Sequence, residues 1–199
     1  MAYNRFTYKT VGEKLGVQMS YDNLIFKEAK PHVARSQTIE WLKPDENYPL
    51  YTEIARREGI INIIFRELIY QTNKGVSVYS GEIFDVEPSL GLVGEADYLI
   101  TLGKAYLPLQ APVIAVAEAK KDALLYGIGQ CIAEMYAARL YNERKGKPTE
   151  RIFGVVTTGW LWGFMMLEGN QVTIDNREYT LSDLDEILGI LVYMTQNVM

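Results

Sequence analysis

Residues 113–122 read VIAVAEAKKD, an apolar run that carries Glu118 and Lys120 two apart at its end. The alternative to a strand here is one long helix running on from Glu118. Pro112 ahead of the run, its β-branched VIAV and the glycines at 127 and 129 behind it favour the strand. Side chains alternate along a strand, so Ile114, Val116, Glu118 and Lys120 are expected on one face and Val113, Ala115, Ala117 and Ala119 on the other. Small residues on the alanine face admit a closely packed helix. The opposite face then holds a carboxylate and an ammonium side by side, which costs desolvation unless something compensates them.

A second isolated acid lies just upstream, in GEADYLI, where Asp97 is followed at once by apolar residues. If the two strands are neighbours, Asp97 and Glu118 converge. Two carboxylates at one spot repel each other unless a divalent cation sits between them. Hard oxygen ligands of this kind suit Mg²⁺ or Mn²⁺. A lysine beside a metal-bound water has a chemical reason to be there, since it helps to position or deprotonate a nucleophile and offsets charge on an attacked phosphate.

Outward from this point the periodicities define an α/β chain. Ile54, Ile61, Phe65 and Leu68 recur at helical spacing through YTEIARREGIINIIFRELIYQT, residues 51–72. VSVYSGEIFDVEP and GLVGEADYLITLG read as strands, followed by the 113–120 strand. A helix then runs through LLYGIGQCIAEMYAARLYNERKG and stops at Gly146 and Pro148. RIFGVVTTGW and LWGFMMLEG give two more strands, QVTIDNREYT a short extended piece, and SDLDEILGILVYMTQ a last helix with Ser182 as its expected N-cap. The order is helix, three strands, helix, two strands, helix, which implies a central mixed sheet flanked by helices. Ahead of residue 50, FTYKTVGEKLG reads as a short strand and a helix ending at Gly16, and three prolines make residues 30–50 irregular.

With 199 residues, 48% hydrophobic and 23% charged, the chain is large enough for one well-buried core. The expectation is a single compact domain, in which residues 1–49 form an N-terminal extension packed on a core of residues 50–199. No apolar stretch is long enough to span a bilayer and the N-terminus lacks the apolar region of a signal peptide, so a cytoplasmic protein without a membrane partner is expected. The lone cysteine, Cys131, excludes an internal disulfide framework and reads as a small core residue. His32, the one histidine, sits beside a proline and reads as structural. The net charge of −5 is carried by the last 35 residues, where six acids face only Arg177. The remainder is neutral overall, and its basic stretch, Arg139, Arg144, Lys145, Lys147 and Arg151, reads as a solvated helix end before it reads as a nucleic-acid footprint. Trp160 and Trp162, alternating in a strand, read as half surface and half core.

An acid on one strand, Glu-Ala-Lys at the end of the next, a glutamate-bearing helix before them and a helix carrying Gln130 after them together resemble the PD-(D/E)XK nuclease superfamily. The resemblance covers most of residues 50–195 and is similar to a group of that superfamily common in cyanobacteria. Ala96 stands where the proline of the family's name would be. The resemblance implies a restriction-endonuclease-like core and a Mg²⁺- or Mn²⁺-dependent endonuclease that hydrolyses DNA by a metal-activated water. It implies that Asp97 and Glu118 bind the metal, that Lys120 assists the attacking water, and that a first-helix glutamate completes the metal site. Glu53 matches the family position, whereas Glu58 falls on the stripe of Ile54, Ile61 and Phe65 and so points inward by periodicity. Gln130 is expected to orient the lysine or to contact phosphate or a base. DNA is the implied partner, with a homodimer left open. The alternative is a catalytically inactive nuclease fold that binds nucleic acid or a protein partner.

Overall fold

In the computed structural model, which describes residues 2–22 and 25–199, one mixed sheet of eight strands is flanked on both faces by helices. The strands are β1 (Gln18–Asp22), β2 (Val76–Ile83), β3 (Glu95–Leu102), β4 (Val113–Ala119), β5 (Arg151–Thr157), β6 (Leu161–Glu168), β7 (Gln171–Asp175) and β8 (Tyr179–Thr180). Their order across the sheet is β1-β7-β6-β5-β4-β3-β2, with β8 paired to β6. β4 lies parallel to β5, and β1 parallel to β7; the other pairs are antiparallel.

The 113–120 run is therefore a strand, and all of β4 is buried, as a central parallel strand covered on both faces should be. Its alternation is not the strict one expected from the sequence. Ile100 lies opposite Ala115 and Thr101 opposite Val113, which leaves Ile114 as an extra residue. Val113 thereby joins Val116 in the layer beneath α5 (Leu125–Arg144), while Ile114 joins Ala115, Ala117 and Ala119 on the other face. That alanine face is packed by α4 (Asn62–Gln71) and α6 (Leu184–Gln196), through Ile64, Phe65, Leu68, Ile187 and Leu191. The bulge ends before Val116, so the alternation that puts Glu118 with Val116 survives.

The N-terminal residues belong to this same body. Residues 6–16 contain no strand: helix α1 (Tyr8–Leu15) ends at Gly16, whose φ of 66° is the left-handed conformation that glycine adopts without strain. α1 packs against α5, β1 extends the sheet at its edge, and a short helix, α2 (Ser36–Trp41), forms within the stretch expected to be irregular. Residues 1–49 are thus not simply laid over a finished core. The last helix also starts differently from expectation. Ser182 is not its cap; the Thr180 hydroxyl and backbone N–H bond the Asp183 carboxylate in a capping box ahead of α6.

Four of the five bases of the basic stretch have partners within the fold. Arg139 reaches the Gly169 carbonyl, Arg144 pairs with Glu87, Lys147 bonds the Ala111 carbonyl and Arg151 pairs with Glu168. His32 meets Gln71, Cys131 is buried in α5, and Trp162 is buried while Trp160 is exposed. Among the described residues no helix is long and apolar enough to cross a membrane.

Close approach between α5 and the chain ahead of α1 depends on Gly129. A Cβ there would lie 2.6 Å from Thr7 Cα, and backbone cannot yield as a flexible side chain can. Gly129→Ala gains about 1 kcal/mol in helix propensity and loses about 1–3 kcal/mol to overpacking. The expected net result is a lower melting temperature by calorimetry; an unchanged or higher one would show that α1 and α5 are not in this contact.

Candidate active site

β3 and β4 run antiparallel with Tyr98 opposite Ala117 and Leu99 opposite Val116, so Asp97 and Glu118 are the next pair along the ladder. Opposed residues share a face. Asp97, Glu118 and Lys120 accordingly meet where β4 ends, and the Lys120 N–H bonds the Thr157 carbonyl of β5. Asp97 Oδ2 accepts from the Ala119 N–H at 2.9 Å, which locks the two strand ends together. Its Oδ1 lies 2.8 Å from Arg57 Nη1.

Glu118 is 2% exposed. Its Oε1 accepts from the Lys120 ammonium, and its Oε2 has no hydrogen-bond partner. Burial, with the Asp97 carboxylate adding to it and Lys120 opposing, pushes the Glu118 carboxyl up to about 8. For Lys120, burial works against the charge, but Glu118, Asp97 and Glu53 together outweigh it and the pKa moves up. The side chain is therefore an ammonium at neutral pH. Of the two tasks open to it, positioning charge suits it and removing a proton does not.

Gln130, in the second turn of α5, accepts from Lys120 through Oε1 at 3.3 Å and donates through Nε2 to Glu134 Oε1 at 3.0 Å. The amide thus steers the lysine from behind. Glu134 escaped the sequence reading. It is fully buried, its Oε2 is unpartnered, and burial followed by the Glu118 charge drives its carboxyl well above the usual range. The available signal was an acid one helical turn beyond Gln130 among Cys131, Ile132, Ala133, Met135, Ala137 and Ala138. Gly127 leaves room for the pair, because a Cβ there would stand 3.1 Å from Lys120 Cγ and 3.4 Å from Glu118 Cγ.

The first-helix acids separate cleanly. α3 (Glu53–Arg56) passes into a π-helical turn, Arg57–Ile61, in which the Asn62 N–H reaches back to the Arg57 carbonyl. That turn inserts one residue and rotates everything before it by about 100° against the α4 stripe. Ile61, Phe65 and Leu68 are buried as expected, whereas Ile54 is exposed. Glu58 shares its fate: it is exposed and meets the Tyr48 hydroxyl at 3.3 Å, so its inward aim, read from the periodicity, is corrected. Glu53 faces Glu118 and Lys120 closely enough to act on both electrostatically. Arg57, one turn on from Glu53, is the cation on Asp97.

As these side chains stand, no three His, Cys, Asp or Glu groups among the described residues lie close enough together to hold a metal ion. Arg57 takes the place beside Asp97 where a cation would be. The chemistry of the donors still fits Mg²⁺ or Mn²⁺: two opposed carboxylates, a third in electrostatic reach, and one buried Glu118 oxygen left without a partner. The chain matches no protein-family model and no curated protein.

The raised Glu118 carboxyl has a consequence for stability. The folded state holds this proton up to about pH 8, while the unfolded chain releases it near 4.5. Its stabilising contribution is therefore complete below pH 4.5 and is lost as pH rises through 8. Glu118→Gln keeps an oxygen for Lys120 but has no proton to lose. Melting temperatures measured from pH 5 to 8.5 are expected to fall less steeply for the variant than for the wild type, with the variant the more stable at pH 8. Parallel curves would mean that Glu118 is not a buried, strained carboxyl.

Proposed function

We propose that the chain is a metal-dependent nuclease that hydrolyses DNA phosphodiester bonds. The observation that carries this reading is the meeting of Asp97, Glu118 and Lys120 at one strand end, with a buried Glu118 oxygen left unpartnered. The resemblance of Asp97 and Glu-Ala-Lys to the PD-(D/E)XK superfamily supports it. In this reading Asp97 and Glu118 hold Mg²⁺ or Mn²⁺, and Glu53 completes the set. A divalent cation at such a site supplies activation of a water and stabilisation of charge on the attacked phosphate.

The chain's own residues do the rest. Lys120, kept protonated by Glu118, places a positive charge where charge develops on the phosphate oxygens. Gln130 fixes the direction of that ammonium and is itself held by Glu134. β3 carries Asp97, β4 carries Glu118 and α5 carries Gln130 and Glu134, and Lys120 follows β4 directly with its N–H held by the Thr157 carbonyl.

The second reading is a nuclease fold that binds without cleaving. It is favoured by the pairing of Asp97 with Arg57, which answers that acid without a metal.

Lys120→Ala separates the two. Plasmid and single-stranded DNA incubated with the protein and Mg²⁺ or Mn²⁺ should be cut by the wild type and about 100-fold more slowly by Lys120→Ala. Lys121, exposed on the following loop, is the control, and Lys121→Ala should retain most activity. Equal loss in both variants would contradict the role given to Lys120. No cleavage of any DNA form by the wild type would favour the binding module. Calorimetry with Mn²⁺ should also show that Asp97→Asn and Glu118→Gln each weaken binding, because a neutral amide replaces an anionic ligand.

A further inference from the structure

Arg57 is the one cation that touches Asp97 without belonging to the Glu-Ala-Lys motif. Three features describe its setting. First, its contact with Asp97 is the Nη1–Oδ1 approach at 2.8 Å, without the two-point fork that makes an arginine–carboxylate pair firm, while Oδ2 accepts from the Ala119 N–H. Second, its remaining partners are the Ser80 hydroxyl, 3.4 Å from Nη2, and the Tyr98 side chain, whose ring centre lies 5.4 Å from the guanidinium carbon, with Glu95 in electrostatic reach. Third, the side chain is 20% exposed against 2% for Glu118, so it is the more open to solvent of the two.

The neighbouring Arg56 shows what a structural arginine looks like here. It donates to the carbonyls of Leu50, Lys121 and Thr158 and ties three segments together, with no acid involved. Arg57 reaches β3 and β2 through side chains only, at Asp97 and Ser80. The π-helical turn that begins with it places Glu53 and Arg57 one turn apart and both toward Asp97 and Glu118, an anion and a cation aimed at the same spot.

Resting on the nuclease reading, we infer that Arg57 is an exchangeable counter-ion: it holds the metal position at Asp97 while the site is empty, and yields it to the divalent cation. Its guanidinium is then free for the phosphodiester, whose oxygens offer the paired acceptors that Asp97 does not. Metal and nucleic acid are coupled through this one side chain. The ion takes Asp97, and the arginine it displaces becomes a phosphate ligand.

Two measurements test this, the second independent of metal. Calorimetric titration of Mn²⁺ should give an affinity about tenfold tighter for Arg57→Gln than for the wild type, since the competitor is gone and each tenfold is about 1.4 kcal/mol. An unchanged or weaker affinity in a variant with the wild-type circular dichroism spectrum overturns the exchange while leaving the metal site standing. In the second arm a fluorescein-labelled DNA duplex is titrated without metal, in EDTA. Asp97→Asn frees Arg57 and should bind the duplex several-fold more tightly than the wild type. Asp97→Asn combined with Arg57→Gln should lose that gain, whereas Asp97→Asn combined with Lys121→Gln, which has the same net charge but keeps Arg57, should retain it; that contrast excludes the mere change of net charge as its cause. A gain that persists without Arg57, a gain lost equally in both double variants, or no gain at all, overturns the inference. If neither wild type nor Arg57→Gln binds Mn²⁺, the metal reading and the exchange fail together, whereas the metal-free arm still reports whether Arg57 is a latent phosphate ligand.

Discussion

A carboxylate withdrawn from water at the end of a central strand has to be paired, hydrogen-bonded or protonated, and the surroundings of Glu118 follow from that requirement. Lys120 is folded back onto it from two residues along. Lys120 in turn needs an acceptor on its far side, which Gln130 supplies, and Gln130 can present its carbonyl only because Glu134 takes its amide hydrogens. Gly127 on the helix that crosses above leaves clearance for Val156 first and then for Lys120. One buried charge thus dictates the composition of two turns of α5, in a region where helix packing alone would ask for alanine and leucine. Such a row is not what stability selects. A buried ion pair seldom outperforms hydrophobic residues of the same volume, and the proposed chemistry at the strand end would account for the charges.

The parts of this arrangement that could be read from the sequence are those governed by a period of two. Pro112 and the β-branched residues marked β4 as a strand, and strict alternation past Val116 put Glu118 and Lys120 on one face. Antiparallel pairing then brought Asp97 opposite Glu118. The bulge at Ile114 shows how narrow that success was: the same extra residue placed three positions later would have reversed the face of Glu118. β1 was not legible because QMSYD is an exposed edge strand with almost no buried face, so it carries no alternation to read.

What could not be read depends on helix phase. A count of 3.6 residues per turn from Phe65 back through Ile61 assigns Glu58 and Ile54 to the inner stripe. The π-helical turn at Arg57–Ile61 defeats that count, exposing Ile54 and turning Glu58 to Tyr48. Nothing in REGII announces the extra residue. Its effect falls on the functional side chains, because the rotation that removes Glu58 brings Glu53 and Arg57 to the site. Glu134 is a different case. Its position one turn beyond Gln130 was visible, but whether a helix glutamate is buried or solvated is decided by what packs over it, here the N-terminal segment around Tyr3 that runs beside α5.

The charge balance of the site also bears on how an ion would bind. Structural metal sites assemble when the metal arrives, since their ligands repel one another without it. Here Arg57 and Lys120 already answer Asp97 and Glu118, and the sheet is complete around them. Folding therefore does not wait for a cation. The same pairing weakens the site, because an entering ion must displace one internal cation and take a proton from a carboxyl that burial holds up at about 8. A preformed, self-neutralised pocket of this kind trades ion affinity for a scaffold that stays ordered while empty. In the proposed reading the site would also respond to a second ligand, since a phosphate group that drew Arg57 away from Asp97 would uncover the acid for the cation.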